Sequence, residues 1–116
     1  MRKPFIKHLP EISIEAAHSG SGKRQLLLSK QDAVSSQLEA MTKGYLEPGG
    51  VFDWHQHENI DEFFLILKGT GLIKYADGTT FEYKPDDLIY SPSNLDHKIT
   101  NTGTETNEFF FIRLNH

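Results

Sequence analysis

The chain has 116 residues, 37% of them hydrophobic and 24% charged, which is the size and balance of one folded domain and leaves no room for a second core. A formal charge of −4 excludes a chain built to neutralise a phosphate backbone, so no nucleic-acid partner is expected. Cysteine is absent, which excludes disulfides and thiolate metal sites and leaves nitrogen and oxygen as the only metal donors.

Residues 1–23 contain Pro4, Pro10 and the turn-rich stretch 18–23. They predict an arm that is irregular or adds one short strand, and that is suited to reaching a partner subunit. The domain proper is expected over residues 24–116. No stretch has the length of a signal-peptide core or the roughly 20 apolar residues of a membrane span. A soluble cytoplasmic protein with no membrane partner is the expectation.

From Arg24 onward, short runs rich in Leu, Ile, Phe, Tyr and Thr alternate with Gly, Pro, Asn and Asp. Strands are predicted at 25–29, 37–46, 52–57, 62–67, 72–75, 80–83, 87–91, 97–101 and 108–114, with no helix. The intervening Glu47-Pro48-Gly49-Gly50, Lys68-Gly69-Thr70-Gly71, Ala76-Asp77-Gly78-Thr79 and Asn101-Thr102-Gly103 supply the residues that tight turns need. There is no internal repeat and no low-complexity tract. The runs Phe63–Leu67 and Phe109–Ile112 are apolar on both faces, where a half-solvated strand would alternate. One face belongs inside a barrel; the other needs a second sheet or a second subunit, which points to a homodimer.

Chemistry concentrates in the middle of the chain. His55 and His57 are two of only six histidines, and on a strand the one-residue gap places both imidazoles on one face. Glu62 opens the most apolar run and shares its face with Phe64 and Ile66. A carboxylate aimed into an apolar interior is costly unless it meets a cation. Asp61 faces the other way. His97, in the late segment, is the third imidazole. Three imidazoles and one carboxylate suit one divalent transition metal (Fe, Mn, Ni, Zn, Co or Cu) and suit Ca or Mg poorly. An octahedral ion on these four donors would keep two positions open.

The spacing Gly49, five residues, His55-Gln56-His57, four residues, Glu62, six residues, Gly69 resembles the first motif of the cupin superfamily at every fixed position. Pro92, His97 and Asn101 resemble the second motif, in which Asp86 and Asn94 stand where the family has glycine; both tolerate left-handed turns. The two motifs span residues 49–101. The resemblance implies a single-domain, all-β, jelly-roll-like antiparallel barrel (a double-stranded β-helix) with a metal inside one end, held by His55, His57, Glu62 and His97.

Elsewhere, His8, His18 and His116 read as solvated, and Asp53 as an exposed carboxylate or a partner that orients an imidazole. Trp54 and Gln56 belong on the face away from the ligands. Met41, Lys43, Tyr45 and Tyr90 are candidates for the pocket mouth. The expected function is a metal-dependent enzyme, an isomerase, lyase or dioxygenase acting on a small sugar-like or hydroxy- or keto-acid metabolite. No general acid or base can be named from the chain. A non-catalytic barrel that binds or senses a small molecule is the alternative. None of Arg2, Arg24 and Arg113 adjoins a motif, which argues against a phosphate clamp.

Overall fold

A computed structural model describes residues 3–17 and 20–116; the expectation for His18 falls outside these residues. Among the described residues, ten antiparallel strands form two sheets. Strands β1 (Glu15–Ala16), β2 (Lys23–Ser29), β3 (Leu38–Leu46), β10 (Asn107–Asn115), β5 (Ile60–Lys68) and β8 (Leu88–Ser91) lie in that order in the larger sheet. The smaller has the order β4 (Val51–His55), β9 (His97–Asn101), β6 (Gly71–Tyr75) and β7 (Thr80–Tyr83). All nine predicted strands are present. The only helical pieces among the described residues are the single 3-10 turns Leu9–Glu11 and Lys30–Asp32. The two hydrogen-bonded ladders remain separate and do not close into one continuous barrel.

The alternation within β3 explains its place. Leu38, Ala40, Thr42, Gly44 and Leu46 are buried, while Glu39, Met41, Lys43 and Tyr45 are half-buried on the outer face. The core forms where the inner faces meet: Leu46, Phe64, Ile66, Phe109 and Phe111 from the larger sheet, Phe52, Ile73, Tyr75 and Ile99 from the smaller.

The second cupin-like motif survives its two substitutions. Asp86 (φ 74°) and Asn94 (φ 65°) both occupy the left-handed region, as short polar side chains tolerate. Asn101 is buried: its amide donates to the carbonyls of Leu46 (2.8 Å) and Glu105 (2.9 Å), and its oxygen accepts the Gly103 N–H. This residue of the motif ties strands together. Gly69 (φ 85°) has a further reason to be glycine, because a Cβ there would collide with Asn107 Nδ2.

The N-terminal arm lies along the outside of β2. The Gln25 amide donates to the carbonyls of Leu9 and Ile12, both at 2.9 Å, and Lys7 Nζ donates to Leu27 O at 2.7 Å. Glu15 pairs with Arg24 and Ala16 with Lys23, so the arm contributes one two-residue strand.

Candidate metal centre

The site lies between the sheets, at the end where β4 leads through residues 56–59 into β5. His55 and His97 are cross-strand partners in the smaller sheet. Glu62 comes from β5 in the larger sheet, opposite Arg113 of β10 and Ser91 of β8.

The expectation that His55 and His57 share a strand face needs correction. Strand β4 ends at His55, so His57 sits in the loop. The register is also shifted: Phe52 pairs with Ile99 but His55 with His97. The extra residue forms a bulge at Asp53 and Trp54, both exposed. A bulge re-aims the side chains that follow it, so Phe52 and His55, three positions apart, both reach the interior. His57 is held through its backbone instead: its carbonyl accepts from Ile60 N (3.4 Å) and Asn94 N (3.2 Å). Asn94 Oδ1 accepts the Asn59 N–H at 3.1 Å, so the second motif braces the loop of the first.

The donor atoms of His55, His57 and Glu62 lie within 4.8 Å of one another. His97 borders this triangle through its ring, 4.5 Å from that of His55, and through Nε2, 3.4 Å from Glu62 Oε1. Its ring also packs 5.8 Å from that of Tyr75, whose hydroxyl meets Ser91 Oγ at 2.6 Å.

Three of the imidazole nitrogens at the site lack hydrogen-bond partners, and a fourth is fixed by the backbone. His55 Nδ1 is 2.6 Å from the Asp53 carbonyl; a carbonyl only accepts, so the proton sits on Nδ1 and the lone pair on Nε2. Thus the Asp53 backbone orients the imidazole, while the Asp53 carboxylate caps the Trp54 N–H. His57 Nε2 and both nitrogens of His97 are buried with no hydrogen-bond partner. Unpaired buried polar atoms are costly, and a cation among them satisfies imidazole and carboxylate together. The donor set therefore fits a divalent transition metal.

Electrostatics point the same way. Burial pushes the His57 imidazolium down to about 4 and lowers His55 as well, so both are neutral, metal-ready imidazoles near pH 7. Burial pushes Glu62 upward, but contact with His97 and the positive charge of Arg113 outweigh it and hold the carboxyl at about 2. Arg113 Nε donates to Glu62 Oε2 at 2.7 Å.

These directions set the acid stability of the metal-free protein. His57 binds its proton at lower pH in the folded state than the ordinary 6.5. Stability is thus complete above pH 6.5 and falls as pH drops towards 4, by up to about 3 kcal/mol. Glu62 adds a loss of the same sign between its ordinary 4.5 and about 2. Urea unfolding in chelator at pH 7, 5.5 and 4.5 is expected to show this decline; a flat profile contradicts it.

A cavity of about 60 Å³ opens beside the triangle, lined by Arg24, Thr42, His55, His57, Glu62 and Arg113 over walls of Phe52, Ile99 and Phe111. The candidates for its mouth are elsewhere. Met41, Lys43 and Tyr45 lie on the outer face of β3, Lys43 paired with Glu108 at 2.9 Å and Tyr45 bonded to Gln25. Tyr90 is half exposed and donates to Asp61. Trp54 and Gln56 point outward as expected. His8 is exposed, and exposed His116 pairs with Asp61 at 2.9 Å. Sequence reasoning missed Arg24 and Arg113 because neither adjoins a motif in the chain; the register places Arg113 opposite Glu62. Tyr75 was legible in principle, since it shares the alternation of buried Gly71 and Ile73.

Comparison with known proteins identifies the family and the fold. The Cupin domain family model matches residues 44–113. An oxalate-binding protein of Thermotoga maritima is 30% identical over 101 residues, covering 85% of this chain and 82% of that one. YdbB of Bacillus subtilis is 37% identical over 49 residues, which are 42% of this chain and 43% of that protein, so the match spans under half of its length. The crystal structure of a predicted oxalate decarboxylase from Thermotoga maritima superposes with a TM-score of 0.86 at 26% identity, covering 97% of this chain and all of that one. By its family match, its double motif and its two-sheet fold, this chain belongs to the cupin family.

Proposed function

We propose that the protein is a metal-dependent cupin enzyme acting on a small oxygenated metabolite, with His55, His57, Glu62 and His97 as ligands of one divalent transition metal. The observation that carries this reading is the set of buried, unpartnered nitrogens on His57 and His97 beside an ionised, buried Glu62. When bound, such an ion supplies a Lewis acid with open positions for a substrate oxygen. The chain's own residues hold Glu62 ionised through Arg113, fix the His55 tautomer through Asp53, and wall the cavity with Phe52, Ile99 and Phe111 against bulk water. Sugar-like and hydroxy- or keto-acid substrates both present the oxygen donors such a centre takes, and the oxalate-binding relative favours the acids.

The test is elemental analysis of untagged protein from its native host, followed by assays of turnover on that class of metabolite. One equivalent of iron, manganese, nickel, cobalt, copper or zinc is expected. Metal-free protein that gains no thermal stability from any of these ions overturns the reading. Ligand-dependent stabilisation without turnover favours the alternative, a binding or sensing barrel.

We also propose a homodimer through the outer face of the larger sheet. Cross-strand neighbours there form two apolar rows, Met41-Ile112-Phe63-Tyr90 and Phe110-Leu65-Leu88. Leu88 is 68% exposed and Tyr90 50%, and a contiguous apolar face of this kind marks an interface. Light scattering is expected to give twice the chain mass, and Leu88→Glu the mass of one chain. A monomeric wild type at micromolar concentration overturns this assignment. No helix among the described residues is long and apolar enough to cross a membrane.

A further inference from the structure

Two of the three arginines, distant from each other and from both motifs in the chain, end in the same cavity as the metal-ligand candidates. Arg24 of β2 and Arg113 of β10 belong to the same face of the larger sheet, and each side chain is only 18% exposed. Both are fixed in the same way. Glu15 accepts from Arg24 Nε at 3.0 Å, and Glu62 accepts from Arg113 Nε at 2.7 Å. In neither case do the terminal nitrogens bond to a described residue, so each guanidinium keeps its end-on pair of donors, the geometry that matches a carboxylate.

Charge and size narrow the occupant. Glu15 and Glu62 balance the two guanidiniums, and Glu62 is the only carboxylate among the described residues that line the cavity. The charge of a bound dication therefore has no counter-charge there and calls for an anionic ligand. The cavity volume of about 60 Å³ holds about four to six water-sized centres. That suits an acid of about two to three carbons. The walls are apolar, so the polar specificity must come from the two arginines, Thr42 and the metal.

We infer that this cavity binds a short-chain carboxylate whose carboxyl group is anchored by Arg24 and Arg113 opposite the metal. The inference rests on the proposed metal site for its charge argument. Arg24 is the informative residue, since Arg113 also holds Glu62.

Oxalate, glycolate and lactate are titrated calorimetrically into manganese(II)-loaded wild type, Arg24→Gln and Arg24→Lys, with metal content measured for each. Oxamide serves as the uncharged analogue and inorganic phosphate as the competing anion. At least one carboxylate is expected to bind wild type and oxamide not to bind. Arg24→Gln should raise Kd about tenfold to a hundredfold at unchanged metal content, because charge-assisted hydrogen bonds are lost. Arg24→Lys, which keeps the charge but not the fork, should fall between. The inference is overturned if no carboxylate binds metal-loaded wild type, if Arg24→Gln binds as wild type does, or if phosphate binds more tightly than every carboxylate. Wild type that takes up no manganese or other ion defeats the metal reading separately. Carboxylate binding to that metal-free protein, lost in Arg24→Gln, would still support the anchor, and its absence would overturn it.

Discussion

Replacing Glu62 by glutamine is expected to lower metal affinity by at least about a hundredfold, since loss of outer-shell partners alone costs about 10–100-fold and Glu62 is the one anionic donor of the set. Glutamine keeps an oxygen that accepts from Arg113 Nε, so the 2.7 Å contact has a neutral substitute. The guanidinium then loses its counter-ion, which in a buried pair costs about 3–5 kcal/mol and less here because Arg113 is partly exposed. His57→Ala separates the two effects. The His57 side chain makes no hydrogen bond through Nε2, and the bonds that fix its loop run through its backbone carbonyl. That variant should lose metal and keep its unfolding midpoint in chelator. Metal content by elemental analysis and denaturant unfolding read the two quantities independently, and stoichiometric metal in folded His57→Ala contradicts the ligand assignment.

The largest stability loss is expected from Phe109→Ala. Phe109 is fully buried at the centre of an aromatic cluster, its ring 5.4 Å from Phe111, 5.6 Å from Tyr83, 5.9 Å from Phe52 and 6.3 Å from Phe64. These neighbours come from both sheets, so the side chain joins them and its removal leaves a cavity that neither sheet can close alone. Such truncations cost about 3–5 kcal/mol, which for a domain of this size lowers Tm by about 10–20 °C. Differential scanning calorimetry reads the shift. A change under about 1 kcal/mol would mean that the two sheets repack around the gap.

The position of Phe109 also shows how much was legible beforehand. The apolar runs Phe63–Leu67 and Phe109–Ile112 announce strands, and they prove to be neighbours in the larger sheet, with Phe111 opposite Phe64 and Phe109 opposite Ile66. Strand existence and turn placement depend on side-chain periodicity and on residues that tolerate positive φ, both of which are local properties. The left-handed Asp86 and Asn94 were readable for the same reason. The bulge at Asp53 and Trp54 was not, because an extra residue is defined only against the strand it faces. Local alternation accordingly placed His57 on a strand that ends two residues before it.

Residue types and spacing in the chain were enough to establish a small all-β domain, its nine main strands, its cysteine-free donor chemistry and the choice of His55, His57, Glu62 and His97 as candidate ligands. Those properties follow from periodicity, turn chemistry and motif spacing, which need no partner strand to be defined. The tertiary structure decided that Asp53 serves through its carbonyl and that Tyr45 and Tyr90 face outward. It also decided that Arg24 and Arg113 meet the histidines inside one cavity. Each of these is a matter of strand order and register: β10 lies between β3 and β5, and pairing across that sheet brings Arg113 opposite Glu62 although they lie 51 residues apart.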